Sequence, residues 1–137
     1  MEKYGKANVH PLVTQLRFTR SELLRCLKDV SPEDAARRVL PLNCISWIIG
    51  HLANQEQLYW VLMAQKKLII PDLNDRVGYR KPASTPSLEE MWAAWYKITG
   101  EADTYLNSLT PETLQTHLIY QGKPRLESIG TMLLRNI

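Results

Sequence analysis

The chain has 137 residues, 45% of them apolar and 23% charged, a mix that fits one soluble globular domain with room for a core. Seventeen basic residues against 14 acidic leave a net charge of +3 without any Lys/Arg stripe, so no nucleic-acid partner is expected. No apolar run approaches a membrane span, and Met1-Glu2-Lys3-Tyr4 leads into no apolar signal core; a cytoplasmic protein with no membrane partner is expected.

Four segments carry a helical period and none carries a convincing strand period. Val9, Leu12, Val13, Leu16, Leu23, Leu24 and Leu27 place a first helix over residues 9–28, with Pro11 in its opening turn. Cys26 near its end, and Cys44 further on, are too few for a disulfide framework or a zinc knuckle and are expected to pack as small hydrophobes. Ser31-Pro32-Glu33-Asp34 opens a short helix, which Pro41 ends. Asn43 is placed to cap a second long helix over residues 44–66, with an apolar stripe of Ile45, Ile48, Ile49, Leu52, Glu56, Tyr59 and Met63. Ser87 and Glu90 form a capping box for a third helix over residues 87–108. Its seam is Leu88, Met91/Trp92, Trp95, Ile98, Ala102, Tyr105 and Leu109. After a short turn at Thr110-Pro111-Glu112, Leu126, Ile129, Leu133 and Ile137 define a last helix over residues 126–137.

The connections argue for topology. The stretch between Lys67 and Pro86 holds Pro71, Gly78 and Pro82 and spans up to ~60 Å when extended, whereas the second helix is only ~33 Å long. That connection can return along the helix, so the expected fold is all-α: one domain over residues 1–137, a four-helix bundle with a long crossover between the second and third long helices. The last helix is short, roughly 18 Å, and stops in apolar register at Ile137. The sequence looks truncated, or another chain completes the bundle. The seam around Ile45, Trp47 and Ile48 would then lose its cover, and Met1–Asn8, with Lys3, Gly5 and Lys6, suits that role poorly. Leaving ~200 Å² of apolar surface wet forgoes roughly 5 kcal/mol, so a two-fold homodimer is expected.

His51 is the residue that could carry chemistry, because facing side chains of a bundle are where metal ligands are built. With Leu52 as the stripe centre, Glu56 falls about 40° away and His51 lies on a flank. A carboxylate facing a core needs a partner; Glu56 either pairs with Arg17 or Arg20 or serves as a site acid. His10 and His117 are expected to be remote from His51 and exposed to solvent. An antiparallel last helix would meet the level of His51 about three residues beyond Ile137. No metalloprotease, nucleophile-elbow, phosphate-loop or dinucleotide motif is present.

Ser46-Trp47-Ile48-Ile49-Gly50-His51-Leu52, with Glu56 and Trp60 downstream, resembles the DinB-like superfamily, and Leu126–Arg135 is similar to the opening of that family's last helix. The resemblance covers nearly the whole chain and implies a four-helix bundle with a long crossover. It also implies a divalent metal, nickel or zinc, held by one His of the second helix and an HxxxH pair of the last. Some members are thiol-dependent transferases or isomerases, which implies a small-molecule or thiol substrate. His51 matches the first ligand and the HxxxH pair has no match. The expectation is therefore a metal-dependent enzyme whose metal site is incomplete in this chain, with no ion tightly bound. The alternative is a non-catalytic helical module for association.

Overall fold

The computed structural model describes residues 9–137; the segment Met1–Asn8, expected to leave the seam uncovered, lies outside the described residues. The described chain is all-α apart from one two-stranded hairpin. In order it forms α1 (Pro11–Leu27), α2 (Pro32–Ala36), α3 (Ile45–Glu56), a π-helical stretch (Gln57–Met63), α4 (Leu73–Val77) and α5 (Leu88–Leu106). A 3-10 turn (Thr113–Gln115), β1 (Ile119–Tyr120), β2 (Lys123–Pro124) and α6 (Ile129–Asn136) follow. The chain divides into two compact units, one holding Thr104–Ile137 with the N-terminal segment through Asp29, the other Val30–Asp103.

In the first unit, α1 buries Val13, Leu16 and Arg20. It is capped by His10, whose Nδ1 accepts from the Leu12 amide at 3.1 Å. Cys26 is exposed, not packed as expected. The last helix begins later than its sequence pattern indicated: Ser128 accepts from the Thr131 amide as N-cap, and Leu126 lies outside the helix at 99% exposure. Ile129, Met132 and Leu133 are its buried face. The hairpin was not expected. Gln121 and Gly122, both at positive φ (53° and 76°), supply the two-residue turn that lets Tyr120 pair with Lys123.

In the second unit, Ser31 caps α2 as the sequence indicates, accepting from the Asp34 amide at 3.1 Å. The helix stops at Ala36, well before Pro41. Arg38 then donates to the Leu42 and Pro41 carbonyls, holding the loop that leads into α3. Cys44, not Asn43, is the N-cap of α3. It is 2% exposed, and its thiol lies 3.2 Å from the Ser46 hydroxyl. The crossover is partly helical: α4 packs on α3, and Arg76 of α4 grips Glu90 of α5 through two bonds of 2.5 and 3.0 Å. That guanidinium holds the Glu90 carboxyl below its usual range. Ser87 caps α5 by accepting from the Glu90 amide; the acid of the expected capping box is turned to Arg76. Met91, Trp95, Ile98 and Ala102 are buried, as the seam predicted.

The face that α3 buries is not the one centred on Leu52. Ser46, Ile49, Gly50, Ala53, Asn54 and Glu56 are buried, whereas Ile48 is 42% exposed and Leu52 is only half-buried. At about 100° per residue the buried centre is some 110° from Leu52. The reason is close approach: a Cβ added at Gly50 would lie 2.3 Å from Met91 Sδ and 3.3 Å from Val77 Cγ2. The absent side chain at Gly50 makes the contact possible.

Gly50→Ala gains about 1 kcal/mol of helix propensity but forces the fully buried Met91 to move, and overpacking costs about 1–3 kcal/mol. The expected result is a net loss of about 1 kcal/mol in urea denaturation. A variant as stable as the parent would show that the contact can relax freely.

Candidate functional site

The first half of α3 carries the site. Trp47 and His51, one turn apart, lie on the same flank of the helix, and their rings stack with centroids 5.0 Å apart and planes 13° from parallel. Trp47 is 5% exposed and its indole N–H donates to the Pro82 carbonyl at 3.3 Å. The Cys44 thiol donates to the Ser84 carbonyl at 3.4 Å. Two residues of α3's opening thus hold the end of the crossover. Trp47, expected to line an open seam, is covered within the chain.

His51 makes the third such link. Its Nδ1 lies 2.7 Å from the Val77 carbonyl oxygen, at the C-terminus of α4. The last carbonyls of a helix have no partner within the helix, so the imidazole satisfies one of them. A carbonyl can only accept, so in the neutral ring Nδ1 carries the proton and Nε2 has the free lone pair. Nε2 has no hydrogen-bond partner among the described residues, and the ring is half-exposed. This is the orientation in which a histidine ligates a metal, with its other nitrogen fixed by a backbone carbonyl.

Around this bond the polar groups are tightly engaged. Asn54, 1% exposed, donates from Nδ2 to Asn74 Oδ1 at 3.0 Å, while its own Oδ1 is buried without a partner. The Asn74 carbonyl accepts from the Gly78 amide at 3.0 Å. A Cβ on Gly78 would lie 2.3 Å from that carbonyl oxygen, so glycine is needed for the helix to end this tightly. Further along, the Gln57 side chain accepts from the Ile69 and Ile70 amides and donates to the Ile70 carbonyl, clamping the start of the crossover.

The sequence singled out His51, and the structure gives that residue a fixed tautomer. Glu56 is 5% exposed and is not free of partners. His10 is half-buried as a helix cap, not simply solvated. His117 is exposed, with Nδ1 2.7 Å from the Arg125 carbonyl oxygen. Among the described residues, no three His, Cys, Asp or Glu side chains cluster as a metal site would require. Val77 and Asn74 went unread because α4 lies in a stretch with no clear period; the spacing of Trp47 and His51 was the available signal for the stack.

A family model described as the DinB superfamily matches residues 15–137. The chain belongs to the DinB superfamily. Among curated proteins, none matches the sequence. No helix among the described residues is long and apolar enough to cross a membrane. Within this DinB-superfamily chain the Trp47-x-x-Gly50-His51 motif has a physical account. Gly50 admits α4 and α5, Trp47 supports the imidazole ring, and His51 fastens on the carbonyl that this approach brings near.

The tautomer is directly testable. Long-range ¹H–¹⁵N correlation of the imidazole should show neutral His51 protonated at Nδ1 and bare at Nε2. A ring protonated at Nε2 would mean that the Val77 bond does not form in solution.

Proposed function

We propose that this DinB-superfamily chain supplies one pre-oriented imidazole, His51, to a divalent-metal site that it does not complete alone. The observation carrying this reading is the Val77 carbonyl fixing Nδ1 and leaving Nε2 as a lone-pair donor on a half-exposed ring. The donor set does not fit a resident catalytic ion, since such zinc sites use three protein ligands and no such cluster exists among the described residues. Nickel and zinc suit an imidazole donor, and with further ligands supplied the family likeness points to chemistry on a small molecule, a thiol among the candidates. What His51 does unaided is hold α4 against α3 and present a basic nitrogen to solvent.

The expected behaviour is weak uptake at one place. Dialysed protein should retain well under one nickel or zinc per chain, yet titrated Ni²⁺ should broaden the NMR signals of His51 and its neighbours first. His51→Ala should remove that local effect. Stoichiometric tight metal, or broadening centred elsewhere, would defeat the proposal.

A second reading, a helical module that associates with its own copy, draws on exposed apolar side chains at the entrance to α3. Val39, Leu40, Leu42 and Ile48 are 70%, 75%, 62% and 42% exposed. Apolar surface of this kind tends to be covered by association, and a homodimer is the simplest closed form. Light scattering across a hundredfold dilution should show a dimer that Leu40→Lys shifts to monomer. A monomer at every concentration would leave the metal-donor reading alone.

A further inference from the structure

A pocket of about 180 Å³ opens between α4 and α5. Its accessible sides are Ile70 and Ala93, with Leu73, Met91 and Ala94 sealed beneath them at no more than 4% exposed. It exists because α5 presents only methyl groups at Ala93 and Ala94, leaving room between the larger residues on either side. The mouth is charged, edged by Arg76, Glu90 and Lys97.

These three charges are not equivalent. Arg76 and Glu90 neutralise each other through their two-bond ion pair. Glu101, one helical turn beyond Lys97 and so spaced to pair with it, is taken by Lys67 at 2.8 Å. Lys97 is left exposed, with no hydrogen bond or ion pair among the described residues. The mouth carries one unmatched positive charge beside an apolar hollow. Sites for small molecules combine these two elements: apolar walls for affinity and a few polar groups for orientation.

We propose that this pocket binds a short unbranched aliphatic carboxylate, its chain between Ile70 and Ala93 and its carboxylate on the Lys97 ammonium. The size sets the class. Pockets for drug-sized ligands run to roughly 300–1,000 Å³, so this one suits a chain of about six carbons. The charge sets the sign, because an amine would meet Lys97 with no free carboxylate to receive it. The site is separate from the His51 reading and does not depend on it.

The test is an NMR titration of the full chain with hexanoate, acetate and hexylamine at one fixed ionic strength. Hexanoate should give saturable shifts in amides of α4 and α5, with acetate and hexylamine at least about tenfold weaker. Lys97→Gln removes an exposed, unpaired charge, and Ala93→Leu fills the mouth from an exposed position; both should keep the parent's spectrum outside the pocket. Each should weaken hexanoate by about fivefold or more. Absence of saturation up to about 50 mM hexanoate, equal binding of hexylamine, or either variant binding hexanoate as the parent does would overturn the proposal.

Discussion

The missing side chain at position 50 sets how closely α3 can be approached. A methyl there would overlap Met91 and crowd Val77, so the packing of both α4 and α5 on this helix rests on one hydrogen atom. Once α4 is that close, the Val77 carbonyl comes within 2.7 Å of His51. The remaining bonds to the crossover follow from the same docking: Trp47 to Pro82, Cys44 to Ser84, Gln57 to Ile69 and Ile70. Each is worth about 0.5–1.5 kcal/mol net. Spread along a proline-rich connection, they order its two ends, while Leu73 and Val77 anchor its middle in the core.

The sequence was most readable where local chemistry acts alone. The caps at Ser31 and Ser87 satisfy backbone donors a few residues away, and α5's seam follows a regular 3.6-residue period. It misled where tertiary packing chose against size. Reading the largest apolar residues as the core put Leu52 at the centre of α3, whereas the buried face turns toward Gly50, whose bare Cα admits Met91 and Val77. The hairpin turn at Gln121-Gly122 and the five residues of α4 are too short for any periodicity to reveal. Cys44 as N-cap offers no side-chain cap bond, so the usual signal was absent.

For the candidate site, His51 was legible and its surroundings were not. The imidazole stands out in a motif, but its tautomer is fixed by a carbonyl 26 residues away, and sequence spacing carries no trace of that bond. The same bond serves two purposes. It closes the end of α4, a purely structural service, and in doing so leaves the opposite nitrogen as a donor. The structural and chemical roles of His51 are thus one geometry viewed from two sides of the ring.

The π-helical stretch from Gln57 to Met63 bears on which side of the helix faces inward. A π turn closes its hydrogen bonds one residue further along than an α turn, which is what a single inserted residue does to a helix that must keep both ends in place. Trp60, Val61 and Met63 all face inward along this wider turn. A side chain there advances by less than 100° per residue, so the inward face beyond Gln57 is rotated from the one that a plain α-helix would present.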